Sequence, residues 1–262
     1  MIVAPRGLLP LLLFCLIFMS MGKSGYADET VTVFAAGSLR EAFTEIAAAS
    51  GEKIAFTFGP AGLLRERIEK GAAADLFASA NMTHPQALAD KGRDGPVTRF
   101  TRNALCAITL PGAGFTTDNL IARMLDPKVK LGIFTPGADP SGDYALVVFG
   151  RVDALRPGAG KILEAKARPL LGGRAAPQAP AGQNPIAYHL KAGDADLFLG
   201  YCTIGKGAGG HLFQTVALPD AISVAADYGM IVLHEGAASR LAQFILSDQG
   251  QAILAKFGFV PL

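Results

Sequence analysis

Short apolar runs alternate with segments of helical periodicity along most of this chain. Residues 31–36, VTVFAA, predict a buried strand. Leu39, Phe43 and Ile46 then recur at helical spacing, which predicts an amphipathic helix over residues 38–50. This strand–helix unit is the first of several.

The same alternation continues towards the C-terminal end. Further strands are predicted at residues 53–58, 75–79, 130–135, 197–201 and 228–233. Further helices are predicted from Ala61 to Gly71, from Ser141 onward, and over residues 237–246 and 248–257. A stretch rich in Gly, Pro and Ala at residues 171–185 predicts a surface loop. Strands that alternate with helices indicate an α/β fold with parallel strands and crossover helices.

The first 27 residues have the pattern of an export signal. Arg6 precedes an apolar run over residues 7–21, and Gly25 and Ala27 are small residues before a predicted cleavage after Ala27. The alternative is a membrane anchor, but the run is shorter than the roughly 20 residues that span a bilayer. We therefore expect a cleaved signal peptide at residues 1–27 and an exported protein.

Composition narrows the class of partner. The 262 residues carry a formal net charge of +2, and 50% of them are hydrophobic, which is enough for a large core. Because the basic residues form no run, nucleic acid is not an expected partner. The histidines lie in no hydrolase or zinc-protease signature, so the sequence does not favour an enzyme.

Two cysteines, Cys106 and Cys202, remain after the predicted cleavage. In an exported chain they could form a disulfide, and the sequence leaves the pairing open. Cys106 lies in the buried-strand pattern of residues 104–108, where cysteine acts as a small hydrophobe. This pattern favours free thiols.

Three predicted helices begin with small residues directly after a strand or tight loop. Ser38 with Glu41 has the spacing of a capping box. Ala61-Gly62 opens the second helix, and Ser141-Gly142, followed by Asp143, opens the third. Helix starts offer unpaired N–H groups and the positive end of a dipole, which suit an anion. Ordinary capping explains any one of them, but their recurrence at strand ends favours a ligand site.

Several motifs resemble those of the periplasmic molybdate-binding proteins of ABC importers. They are VFAAGSLREAF, FGPAGLLRERIEKGAAADLFASAN, and YGMIVL before a final helix and FGF, in that order along the chain. The resemblance implies an α/β two-lobe periplasmic-binding-protein fold, with two crossing strands and a central cleft. Lobe I would comprise residues 28–104 and 229–262, and lobe II residues 105–228.

The resemblance also implies a role. It implies a monomeric, non-enzymatic protein of the periplasm that needs no cofactor. Its ligand would be a tetrahedral oxyanion such as molybdate or tungstate, which it would deliver to an inner-membrane ABC permease.

In lobe I, Ser38 matches the first ligand serine of that family. The second ligand serine falls on Ala61, so the resemblance leaves only the backbone N–H groups of Ala61 and Gly62 at that place. Losing one hydroxyl from a ring of donors costs about 1–3 kcal/mol if nothing replaces it. The identity of the anion is therefore open.

In lobe II, Ser141 matches a residue that donates its backbone N–H in the family. A second backbone donor falls on Gln183 or Asn184, and Tyr201 matches a tyrosine that donates its hydroxyl.

A metal ion or metal complex is the alternative ligand. Tyr188, His189, Tyr201 and Cys202 could cluster at the cleft, and imidazole with thiolate or phenolate is reasonable metal-ligand chemistry. The competing interpretation is that His189 and Cys202 are ordinary packing residues.

Overall fold

The computed structural model describes residues 1–3, 29–93 and 95–262. Most of the predicted signal peptide, and the predicted cleavage after Ala27, therefore lie outside the described residues. The strands are β1 Val31–Ala36, β2 Ile54–Gly59, β3 Leu76–Ser79, β4 Thr98–Thr109, β5 Leu131–Phe134, β6 Arg168–Leu171, β7 Leu197–Tyr201, β8 Gln214–Ala217 and β9 Ala225–Val232. The α-helices are α1 Arg40–Ser50, α2 Ala61–Glu69, α3 Thr83–Ala89, α4 Leu120–Leu125, α5 Pro140–Leu155, α6 Ala159–Lys166, α7 Pro185–Lys191, α8 Ala237–Leu246 and α9 Asp248–Lys256.

The strands form one mixed sheet with two parallel ends. β1 pairs in parallel with β2 and β3, and β5 pairs in parallel with β6 and β7. The order is β2-β1-β3-β9-β4-β7-β5-β6, with β8 paired to β4. Parallel neighbours need long crossovers, which the helices supply. The predicted α/β class is confirmed.

β4 and β9 are the two strands that join the lobes. β4 pairs with β9 over Thr98–Ala104 and with β7 over Leu105–Thr109, so one strand belongs to both ends of the sheet. β9 pairs in turn with β3 through Gly229–Val232. This is the two-lobe arrangement with crossing strands that the resemblance implied, while the residue boundaries of the lobes stay a prediction.

Aromatic side chains fill the core beside the crossing strands. Phe100 on β4 is fully buried, with its ring centroid 5.9 Å from that of Phe43 and 6.2 Å from that of Tyr228. A smaller cluster surrounds Phe198 on β7 in lobe II. The larger core cluster extends through both lobes, since it also contains Phe149 of lobe II. None of the helices in the described part of the chain is long and apolar enough to cross a membrane.

Cys106 and Cys202 form a disulfide. The expectation of free thiols, drawn from the strand pattern around Cys106, is wrong. Antiparallel pairing of β4 with β7 places Gly200 opposite Cys106, and Cys202 follows two residues later, which brings the two Cα atoms to 5.0 Å. The bond depends on strand register, which the local pattern did not contain.

Candidate functional site

A cavity of about 480 Å³ lies between the two lobes. The ends of six strands contribute to its wall: Ala36 and Gly37 at β1, Gly59 and Pro60 at β2, Ala80 after β3, Phe134 of β5, Leu171 and Gly172 at β6, and Tyr201 of β7. Ligand sites of open α/β sheets lie outside such carboxyl ends. Of the residues named from the sequence, Ser38, Ala61, Asn184 and Tyr201 line this cavity, whereas Gly62, Ser141 and Gln183 do not.

Ser38 lies in a 3-10 turn, Gly37–Leu39, ahead of α1. Its hydroxyl is hydrogen-bonded to the Tyr228 hydroxyl at 2.9 Å, and the Asn103 amide also donates to Tyr228 at 3.3 Å. Tyr228 is fully buried, and desolvation raises the pKa of its phenol above the usual value. A neutral phenol and amide therefore fix the Ser38 side chain at the cavity wall.

The predicted capping box at Ser38 and Glu41 does not form. The 3-10 turn moves the first α-helical residue to Arg40, so Ser38 is not the cap of α1. The Glu41 carboxylate instead accepts the backbone N–H of Ala208 in lobe II, at 3.0 and 3.1 Å. Glu41 thus connects the lobes across the mouth of the cavity.

At α2, the structure separates the roles of two neighbouring residues. Ala61 is the first residue of the helix and lines the cavity, where a first-turn N–H has no intrahelical acceptor. The Gly62 N–H donates to the Ala138 carbonyl of lobe II at 3.0 Å. A Cβ atom on Gly62 would lie 2.3 Å from the Gly137 carbonyl oxygen. Gly62 therefore forms a lobe–lobe contact in this structure, and its role as an amide donor to a ligand stays a prediction.

At α5, the side chain at the cavity is Asp139, not Ser141. Asp139 caps α5 because its Oδ1 accepts the Ser141 N–H at 3.0 Å, and its carbonyl accepts the Gly142 N–H at 2.9 Å. The Ser141 hydroxyl is fully buried and has no hydrogen-bond partner among the described residues. The Ser141 amide is thus bound to Asp139 in this structure, and the role of Ser141 as a ligand donor stays a prediction.

Asp139 has an unusual electrostatic environment. Burial, the largest cause, and the nearby charge of Asp143 together raise the pKa of its carboxyl to about 6, although the hydrogen bond from the Ser141 N–H opposes the shift. Asp139 keeps partial exposure, and it lines the cavity. Arg40, whose guanidinium lies 4.5 Å from the centre of the Phe58 ring, is the cationic side chain among the described lining residues.

Asn184, not Gln183, faces the cavity. Its side-chain oxygen caps α7 by accepting the N–H groups of Ile186 and Ala187 at 3.0 and 3.2 Å. The Gln183 N–H on the preceding loop donates to the Pro180 carbonyl at 3.1 Å, and Gln183 does not line the cavity. The sequence left these two residues as alternatives, and the geometry separates them.

Tyr201 lies at the end of β7 in the floor of the cavity. Its hydroxyl donates to the Ala80 carbonyl of lobe I at 3.2 Å. Burial, with the neighbouring Tyr228, raises the pKa of its phenol well above the usual value. Tyr201 therefore stays neutral and, like Glu41 and Gly62, contributes to a lobe–lobe contact.

This fold and cavity agree with the comparison to known proteins. Residues 31–260 match the family described as bacterial extracellular solute-binding protein. The chain belongs to this family. An uncharacterized protein of Pasteurella multocida is 34% identical over 235 residues, covering 87% of this chain and 98% of its own. The molybdate-binding protein ModA of Mycobacterium tuberculosis is 31% identical over 121 residues, 41% of this chain and 46% of ModA.

Solved structures of other solute-binding proteins share the fold. The periplasmic molybdate-binding protein of Azotobacter vinelandii has a TM-score of 0.68 at 15% identity, covering 88% of this chain and 99% of that one. The sulfate-binding protein SubI of M. tuberculosis has a TM-score of 0.70 at 16% identity, covering 89% and 87%. AfuA of Actinobacillus pleuropneumoniae, bound to fructose-6-phosphate, has a TM-score of 0.62 at 13% identity, covering 89% and 85%. The resemblance to molybdate-binding proteins is thus confirmed for family and fold.

The metal alternative loses its thiolate ligand in this solute-binding protein. Cys202 is bonded to Cys106, and the His189 ring Nδ1 is hydrogen-bonded to the Asp194 carboxylate at 2.9 Å. The Tyr201 hydroxyl is bound to Ala80. No group of three or more His, Cys, Asp or Glu suited to a metal occurs within residues 1–3, 29–93 and 95–262.

The sequence reasoning missed Asp139. Its signal was present in the dipeptide Asp139-Pro140, because Asp is a preferred helix cap and Pro is favoured at the first helical position. Because the predicted helix began at Ser141, Asp139 was not recognised as its N-cap. Asn184-Pro185 carries the same signal at α7.

Proposed function

We propose that this protein is the periplasmic solute-binding component of an ABC importer and captures a solute with an oxyanion group between its lobes. It acts without catalysis and as a monomer, and it delivers the solute to an inner-membrane permease. Family membership supports the role of solute capture. The printed ligands of its fold relatives include molybdate, sulfate and fructose-6-phosphate. Molybdate and tungstate remain the first ions to test.

The observation that carries the proposal is the cavity at the converging strand ends. Ser38 and Ala61 line it from lobe I, and Asn184 and Tyr201 line it from lobe II. The Ser38 hydroxyl and the open Ala61 amide form the donor side, which suits an oxyanion. A ligand that contacts both lobes favours the closed arrangement.

Ser38→Ala tests the donor side. We expect it to weaken anion binding by about tenfold or more, because one hydroxyl donor to a charged group is lost. Calorimetry and thermal shift with molybdate, tungstate, sulfate and phosphate measure the change. Ser239→Ala on α8 is the matched control, since Ser239 does not line the cavity. Equal affinities for both variants and the unmodified protein would remove Ser38 from the site.

A further inference from the structure

The cavity is larger than a bare oxyanion requires. Its volume of about 480 Å³ falls in the range of roughly 300–1,000 Å³ that is usual for organic ligands. A tetrahedral ion of five heavy atoms displaces only a few waters, at about 30 Å³ for each water.

The lobes cannot simply close further onto a small ion. The Gly62 N–H already reaches the Ala138 carbonyl, and the Tyr201 hydroxyl reaches the Ala80 carbonyl. At Gly62 the backbones are so close that no side chain fits between them. The cavity therefore keeps its volume of about 480 Å³ even though the two lobes are already in contact.

The two sides of the cavity differ in hydrogen-bonding character. On the lobe I side, Ser38 and the amide of Ala61 can donate. On the lobe II side, the starts of α5 and α7 are already capped by Asp139 and Asn184. The side-chain amide nitrogen of Asn184 can still donate, but Asp139 adds a carboxylate, which would repel a bare dianion.

The Asp139 carboxylate has capacity for a ligand group. Oδ1 accepts the Ser141 N–H, and Oδ2 accepts no hydrogen bond from the described residues. Gly172 lies directly against Asp139, since a Cβ at Gly172 would lie 2.8 Å from the Asp139 Cβ. An ionised carboxylate can only accept hydrogen bonds, and one that a ligand shields from water needs a hydrogen-bond donor from that ligand. A fully deprotonated oxyanion has no donor to offer and would be repelled.

Apolar side chains lie between these polar ends. Phe134, Ile186, Ile204 and Phe257 all line the cavity. Such a wall suits a carbon skeleton better than the hydration shell of an ion.

We propose that the natural ligand is a hydroxylated organic anion. This rests on the proposed function and narrows its ligand class. The oxyanion head, a phosphate or carboxylate, lies against Ser38 and Ala61, the carbon skeleton lies along the apolar wall, and a hydroxyl donates to Asp139.

Matched pairs of anions test the hydroxyl. Calorimetry compares sn-glycerol 3-phosphate with n-propyl phosphate, and glycerate with propionate, alongside molybdate, sulfate and inorganic phosphate. We expect the hydroxylated member of at least one pair to bind about tenfold or more tightly than its deoxy partner and than every bare ion. The pair that responds identifies the head group.

Asp139→Ser tests the acceptor. Serine is also a good helix cap, so α5 keeps its first hydrogen bond while the free carboxylate oxygen is removed. We expect the preference for the hydroxylated anion to fall to about threefold or less. The control is Asp143→Asn, which neutralises a nearby carboxylate that does not line the cavity and keeps the preference. Melting curves show whether each variant is folded.

The outcomes separate this inference from the proposed function. Equal binding within both pairs, or tighter binding of a bare ion that is lost in Ser38→Ala, overturns the hydroxylated ligand and leaves the solute-binding role intact. A preference that survives Asp139→Ser also overturns it. If no anion of the panel binds, both proposals fail.

Discussion

Asp139 has two roles at the start of α5. One carboxylate oxygen caps the helix, and the carboxyl group also lines the cavity. Its charge acts on its neighbours, since it raises the pKa of both Tyr201 and Tyr228. Burying a carboxylate without a cation beside it costs free energy. Such carboxyl groups often lie at functional sites, where a ligand or a bound proton offsets that cost.

Asp139 should make stability depend on pH. Its folded-state pKa is raised from 3.8 to about 6, so the folded protein holds a proton that the unfolded chain releases. The free energy of unfolding should therefore fall as pH rises from about 4 to about 6, by about 1–3 kcal/mol from this group, and stay level above.

Asp139→Asn should remove this contribution. Denaturant unfolding at pH 4 and pH 7 measures it for the variant and the unmodified protein. The stability of the variant relative to the unmodified protein should increase between the two pH values. A relative stability that is the same at both would show that Asp139 does not titrate as described.

At the scale of elements, the helix starts decide how the lobes meet. Strand–helix alternation predicted β1, β7 and α8 with the bounds that the structure gives them. It placed the start of α1 two residues too early, because the pattern of Leu39, Phe43 and Ile46 does not distinguish a 3-10 turn from an α-helix. The burial of Gly62 against lobe II has no local signal at all.

Gly62→Ala should oppose closure of the lobes. The added Cβ would lie 2.3 Å from the Gly137 carbonyl oxygen, and such overpacking costs about 1–3 kcal/mol. Affinity for the tightest-binding anion of the panel should fall about five- to hundredfold by calorimetry. Gly150→Ala on α5, where a Cβ meets no atom within 4 Å, is the control and should keep the affinity. A Gly62→Ala protein that binds the anion with the affinity of the unmodified protein would show that this contact does not limit closure.

At the scale of the whole molecule, the disulfide fixes lobe II to a crossing strand. Cys106 on β4 and Cys202 after β7 are 96 residues apart in sequence. The bond restricts the unfolded chain over this long loop, which typically stabilises a protein by about 2–4 kcal/mol.

Reduction should therefore lower the melting temperature. We expect a decrease of several degrees in dithiothreitol, measured by differential scanning calorimetry. The Cys106→Ser, Cys202→Ser double variant should melt near the reduced protein and show no response to the reductant. An unmodified protein that melts at the same temperature with and without reductant would contradict this role for the disulfide.

The sequence by itself determined the α/β class, most element positions and the set of loops around the site. These follow from local periodicity, caps and small residues, each readable within about a dozen positions. The tertiary structure alone decided which groups face the cavity. The Ser38–Tyr228 hydrogen bond joins residues 190 apart, and the Gly62–Ala138 contact and the disulfide also join distant segments. Strand register and lobe packing set such pairs, and neither leaves a mark on the local pattern.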